Sequence, residues 1–312
     1  MDFKKIVVAG SGVLGSQIAY QTAFKGFDVT IWLRSEGSIE RAKPKLERLK
    51  NIYLETLEAM KTNPAAYCRG LSDKQDLTEE EIDALKEKAI NAYDSLTLTT
   101  SYEEAAKDAD YVIEAIAEDP EQKIAFYQEL SKYLPEKTVL ATNSSTLLPS
   151  TFADYTGRAD KYLAMHFANN IWQFNTAEIM GQPKTEQKYY DMVVEFAEAI
   201  GMVPIKLKKE QPAYVLNSLL VPFLQSAQGL WANDVADPVT IDLTWKLATG
   251  APTGPFQIID VVGLTTVYNI AIMNPEAKDP NSTAGKIVKK IKEKIDAGEL
   301  GINAGKGFYE YE

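Results

Sequence analysis

Two groups of residues in this sequence have the types and spacing to do chemistry. The first is Gly10-Ser11-Gly12-Val13-Leu14-Gly15, three glycines spaced G-x-G-x-x-G between a β-branched run and an apolar-periodic stretch. Gly10 permits a tight turn, Gly12 lets backbone approach a pyrophosphate, and Gly15 lets the following helix pack closely on the strand. The N–H groups opening that helix then hold phosphate, so the segment reads as a dinucleotide site. The second group surrounds His166, the only histidine. Asn143-Ser144-Ser145 follows one predicted strand, and Glu178 lies on the strand after the loop 167–176. A carboxylate on one ring nitrogen fixes the tautomer, raises basicity and aims the other nitrogen outward. Hydroxyl and amide donors such as Ser145 and Asn217 hold an oxygen on which charge develops. Beside a nicotinamide, this set is suited to moving an alcohol's O–H proton while hydride leaves the carbon that bears the hydroxyl.

The elements that must position these residues alternate. Strands are expected at 4–9, 28–33, 95–99, 111–116, 138–141, 162–166, 177–180 and 202–207, with helices such as 120–133 and 186–200 between them. Repeated β-α-β units require a mostly parallel sheet with right-handed crossovers. Ligands of such sheets bind outside the carboxyl ends of the strands, where both His166 and Asn143 to Ser145 fall. Residues 38–93 interrupt the alternation as two long helices joined near 63–76, with Thr78-Glu79-Glu80-Glu81 as a capping box opening the second. After Pro212 the spacing becomes helical, with Val215, Leu219, Leu220, Phe223 and Leu224 on one face and breaks at Pro238 and at 250–255. The expected fold is therefore α/β. An N-terminal Rossmann-type, doubly wound, mostly parallel sheet with an inserted helical arm occupies 1–208, and an all-α C-terminal domain occupies 209–312.

Composition narrows the partners. A net charge of −11 argues against nucleic acid, which needs a basic face. Cys68 is the only cysteine, so no internal disulfide forms and a reducing cytoplasm is expected. The thiol reads as a small buried hydrophobe. No run of about 18 apolar residues offers a membrane span, and no signal-peptide core opens the chain. Nothing calls for a metal. The acidic run 79–83 and the lysines of 286–294 read as solvated helix surfaces.

Taken in order, several segments resemble the L-3-hydroxyacyl-CoA dehydrogenase (3-hydroxybutyryl-CoA dehydrogenase) family. Glu114-Ala115-Ile116-Ala117-Glu118 is similar to its E-A-I-x-E, Asn143 to Leu147 to its N-T-S-S-L, and His166 to Asn170 to its H-F-F-N-P. Val215 to Leu220 is similar to V-N-R-L-L, Gly254-Pro255-Phe256 to G-P-F, and Gly305 to Tyr309 to G-x-G-F-Y. The resemblance covers essentially the whole chain. It implies His166 as acid/base, Glu178 as its orienting carboxylate, and Ser145 and Asn217 as partners of the reacting oxygen. It implies cofactor contacts at Gly10, Gly12, Val13, Leu14, Gly15, Glu118, Lys123 and Asn143, an acyl-CoA substrate, a homodimer through the helical domain, and an arm that covers the CoA chain.

Three departures shape the expectations. Leu33 stands where an acidic residue grips the ribose diol of NAD, and Arg34-Ser35 follow it. Losing that carboxylate removes repulsion against a 2′-phosphate and an arginine pairs with one, which favours NADP over NAD. The alternative is an outward Arg34 with the diol held by Ser35 or Glu36. Asn169-Asn170-Ile171-Trp172 replaces N-P-V-P, which opens the pocket to another substrate, with Trp172 either lining it or packing. Ser218 replaces the arginine after the family's asparagine. The expected activity is reversible NAD(P)-dependent oxidation of a 3-hydroxyacyl-CoA. The alternatives are a CoA-free 3-hydroxy acid of sugar-acid or carnitine type, or a dinucleotide-binding protein without catalysis. A CoA enzyme needs cationic contacts for the nucleotide phosphates, for which Arg41, Lys43, Lys45 and Arg48 on the first arm helix are the candidates, a solvated helix face being the alternative reading of the four.

Overall fold

The computed structural model of the chain describes residues 1–311. Two compact units divide at the Val215–Leu216 peptide, a few residues beyond the expected boundary at 208. The first opens with β1 (Lys5–Ala9), α1 (Val13–Phe24) and β2 (Asp28–Trp32), followed by α2 (Glu36–Met60) and α3 (Glu79–Ser95). Next come β3 (Thr97–Thr99), α4 (Tyr102–Ala106), β4 (Tyr111–Glu114), α5 (Pro120–Leu130) and β5 (Val139–Thr142). β6 (Tyr162–Phe167), β7 (Thr176–Gly181), α6 (Gln187–Ala199) and β8 (Val203–Leu207) complete it. The eight strands lie in the order β3-β2-β1-β4-β5-β6-β7-β8. All pairings are parallel except β6 with β7, as the mostly parallel expectation allows. The strand order reverses between β1 and β4, which opens a crevice at their carboxyl ends.

β1 shows why the sheet is buried on both faces. Ile6 and Val8 enter one core and Val7 and Ala9 the other, following the two-residue side-chain period. α1 is buried along its whole length from Gly15 to Phe24, because α2 and α3 pack over it as a further layer. Tyr20 donates to the Ala89 carbonyl at 2.5 Å and Tyr53 to Gln21 Oε1 at 2.5 Å, tying that layer down. The paired helices are thus core as much as arm. Thr78 and Glu81 close the expected capping box, with Glu81 N–H donating to Thr78 Oγ1 at 3.2 Å and Thr78 N–H to Glu81 Oε2 at 2.8 Å.

The second unit is helical: α7 (Leu216–Ala232), α8 (Pro238–Thr249), α9 (Pro255–Val262), α10 (Leu264–Ala271) and α11 (Thr283–Asp296). Its sequence motifs have a mechanical role. Asp242, buried, accepts from the Phe256 and Gln257 N–H groups at 2.8 and 3.0 Å and so caps α9. A Cβ on Gly254 would stand 2.3 Å from the Asp242 carboxyl carbon, which explains the glycine of Gly254-Pro255-Phe256. Asp260 accepts from Phe308 N–H at 2.8 Å, Tyr309 N–H at 2.9 Å and the Tyr311 hydroxyl at 2.8 Å, pinning the tail. On α11, Lys290 and Lys294 pair with Asp234 and Glu299 at 2.5 Å each. Among the described residues no helix is long and apolar enough to cross a membrane.

Candidate active site

His166 and Glu178 are brought together by sheet register. β6 and β7 run antiparallel with His166 directly opposite Glu178, so both side chains stand on the same face. Nδ1 of His166 lies 2.9 Å from Glu178 Oε2, and both side chains are buried. The other carboxylate oxygen accepts from Val215 N–H at 2.9 Å. Nε2 lies 3.2 Å from Ser145 Oγ, in the loop that leaves the end of the adjacent, parallel β5. With Glu178 ionised and accepting, Nδ1 carries the ring proton and Nε2 presents a lone pair toward Ser145. Such an arrangement can take a proton at Nε2 and hold the resulting imidazolium on a buried carboxylate.

Sequence spacing did not single out Tyr214. Its ring stacks on the imidazole, centroids 4.5 Å apart and planes 15° from parallel, and its hydroxyl donates to the Ser144 carbonyl at 2.8 Å. Ala213 and Tyr214 both take positive φ, 65° and 54°, a conformation that costs non-glycine residues energy. The left-handed pair delays the helix expected at Ala213 until Leu216, and turns the Val215 N–H onto Glu178. A tyrosine three residues before Asn217, at the junction of the two composition patterns, was the available signal.

A second polar cluster supports the serine loop from below. Glu118 accepts from the Ser144 hydroxyl at 2.8 Å and from Ser145 N–H at 2.8 Å. Asn143 Oδ1 accepts from Phe167 N–H at 3.2 Å, linking the loop to β6. Lys123 is 1% exposed, its ammonium 2.6 Å from Glu114 and 3.5 Å from Glu118. It therefore faces the protein interior rather than the open crevice. Glu114 also accepts from Tyr127 at 2.6 Å and Thr142 at 2.8 Å, so a buried charge is fully hydrogen-bonded.

The glycine loop fits a dinucleotide. Gly10 has φ +107°, and a Cβ there would lie 2.5 Å from the Ala115 carbonyl. A Cβ on Gly15 would meet the Gly10 carbonyl at 2.4 Å, whereas around Gly12 there is open space. Gly12 caps α1 without a side chain, leaving first-turn N–H groups for phosphate, and Val13 beside them is exposed. Leu14 is half-buried. At the end of β2, Leu33 is buried in the core, so no side chain at that position addresses a ribose. Arg34 is exposed and reaches Gln122 Oε1 at 3.4 Å.

The loop after His166 is shaped by Asn170 at φ 58°, whose N–H donates to Gln17 Oε1 at 2.8 Å. Trp172 packs: it is buried, with its ring 5.5 Å from that of Tyr53. Of the arm cations, Lys43 pairs with Glu40 at 2.7 Å and Lys45 donates to the Ser11 carbonyl at 2.8 Å. Cys68 is buried, and burial pushes its thiol pKa up, which suits packing rather than reactivity. Asn217 is the second residue of α7, half-buried in the second unit.

Residues 5–211 match the family described as 3-hydroxyacyl-CoA dehydrogenase, NAD binding domain, and residues 214–311 its C-terminal domain. A 3-hydroxybutyryl-CoA dehydrogenase of Clostridioides difficile is 32% identical over 98% of this chain and 99% of its own length. The mitochondrial hydroxyacyl-coenzyme A dehydrogenase of Rattus norvegicus is 30% identical over 99% of this chain and 91% of its own. A solved diketoreductase, described in terms of substrate-directed dual catalysis of dicarbonyl compounds, is 45% identical with a TM-score of 0.84 and full coverage of both chains. With both parts of the chain matched, this protein belongs to the 3-hydroxyacyl-CoA dehydrogenase family of NAD-dependent oxidoreductases.

Proposed function

We propose that the chain interconverts a 3-hydroxyacyl thioester and its 3-ketoacyl form, with His166 moving the hydroxyl proton. The observation that carries this reading is the continuous relay Ser145–His166–Glu178, at 3.2 and 2.9 Å. In oxidation, neutral His166 accepts the alcohol proton at Nε2 while Glu178 stabilises the imidazolium. In reduction, the imidazolium returns it to the carbonyl oxygen. Ser145 Oγ donates to that oxygen, and Asn217 is the second proposed donor. Gly10, Gly12, Val13, Leu14 and Gly15 hold the pyrophosphate, and Glu118 and Asn143 serve the nicotinamide end, with Lys123 acting through Glu118. The bound nicotinamide supplies hydride donation or acceptance.

A 3-ketoacyl thioester is itself a dicarbonyl compound, the class named for the diketoreductase, so two readings of the substrate differ in what carries the second carbonyl. The first reading is an acyl-CoA. The likeness to the diketoreductase favours a second, a dicarbonyl substrate without CoA. Absorbance of the reduced cofactor, followed with acetoacetyl-CoA and with ethyl acetoacetate in parallel, separates them. Turnover of the thioester alone supports the first and of the ester alone the second, while neither reacting overturns both.

Arg34, with no carboxylate at Leu33, supports NADP(H) over NAD(H); parallel assays with NADH and NADPH test this. Exposed Leu219, Leu243, Leu247, Ile272 and Met273 in the helical unit support a homodimer, which sedimentation equilibrium would reveal as twice 34.6 kDa. We place the working compartment in the cytoplasm, from the lone buried thiol.

A further inference from the structure

We propose that Arg34, Ser35, Ser38 and Arg41 form a phosphate site at the end of β2 that takes the 2′-phosphate of NADP(H), with Arg41 as its second guanidinium. This rests on the NADP(H) reading of Arg34 and extends it to residues over the next two helical turns. Ser35 and Ser38 hydroxyls lie 3.0 Å apart, and Arg41 Nη2 donates to Ser38 Oγ at 2.9 Å. Arg41 Nη1 is 3.5 Å from the position a Cβ would take on Gly37, so the guanidinium folds back over the opening turn of α2 instead of extending into solvent. Among the described residues Arg34 reaches the neutral amide of Gln122, at a long 3.4 Å, and no carboxylate.

The chain holds 44 acidic residues against 33 Lys and Arg, and Lys43 on the same helix is paired with Glu40. Yet among the described residues neither Arg34 nor Arg41 has a carboxylate within ion-pair distance. Glu36, the one acid in that turn, accepts from Thr100 Oγ1 at 3.2 Å. Two planar guanidiniums held by neutral partners, with two hydroxyls between them in sequence, match the bidentate demands of a phosphate dianion. Leu33 removes the competing carboxylate by turning into the core.

Calorimetric titration of the whole chain with 2′,5′-ADP, 5′-AMP and 3′,5′-ADP tests the site without turnover. We expect 2′,5′-ADP to bind on the order of tenfold tighter than 5′-AMP, and Arg41→Ala to remove most of that advantage while leaving 5′-AMP unchanged. Arg41→Lys should restore only part, because an ammonium cannot make the fork. Thermal melts of each variant check that the fold is retained, with Arg41→Gln as a second truncation. A wild-type preference for 5′-AMP overturns both this site and the NADP(H) reading. A preference for 2′,5′-ADP that survives Arg41→Ala but falls with Arg34→Ala keeps the reading and overturns the site as drawn. Tightest binding of 3′,5′-ADP, the nucleotide of coenzyme A, gives the cluster to the acyl carrier and overturns the assignment.

Discussion

Glu178 in the first unit and Asp260 in the second are both buried carboxylates with both oxygens engaged, and their partners differ in kind. Asp260 holds two backbone N–H groups and the Tyr311 phenol. Burial, and then the adjoining carboxylate, push that phenol's pKa further up, so no partner of Asp260 exchanges a proton near neutral pH. Asp242 is built the same way, with two N–H groups and the Tyr309 hydroxyl at 2.9 Å. Glu178 spends one oxygen on a backbone N–H and the other on an imidazole whose far nitrogen reaches Ser145. Residue type and burial are alike in the two places. A titratable intermediary separates a carboxylate that shapes the chain from the one proposed to serve a reaction.

The sharpest way to break this contrast is at the relay itself. Replacing His166 with glutamine, or Glu178 with glutamine, should lower turnover by about 10²–10⁴-fold with little change in melting temperature. A loss below threefold for Glu178→Gln would put Glu178 in the same class as Asp260. The reciprocal change, Asp260→Ala, strands three donors. It should destabilise the helical unit by about 3–5 kcal/mol in denaturant unfolding, while turnover per folded molecule survives. Smaller is Tyr214→Leu, which removes the ring lying against the imidazole. We expect kcat down about tenfold with KM for the cofactor unchanged, the mark of misplacement of a reacting group. Smallest is Tyr214→Phe, which keeps the stack and gives up one hydrogen bond worth about 0.5–1.5 kcal/mol, leaving kcat within about threefold. Equal losses in the two Tyr214 variants would assign its role to the hydroxyl instead of the ring.

Much of this was legible in the sequence, and for local reasons. The glycine spacing, the alternation of strands and helices, and the Thr78 cap are short-range patterns, and each appears where the spacing put it. The meeting of His166 and Glu178 was also readable, since a strand that returns after a short loop pairs with its predecessor. What was not legible depends on packing or on unusual backbone. Lys123 lies nine residues from Glu114, and only the fold of the β4–α5 turn buries the two together. Trp172 packs on Tyr53 because α2 closes over that loop, a contact with no sequence spacing to announce it. Tyr214 owes its place to two left-handed residues with no glycine to mark them.

The Tyr214 stack has a magnetic consequence. An aromatic ring 4.5 Å from the imidazole and nearly parallel to it puts the carbon-bound protons of His166 in its shielding cone. There is no second histidine to overlap them. The protein therefore carries its own one-residue spectrum, in which the protonation and tilt of the proposed acid/base can be followed through each step of ligand binding without a label.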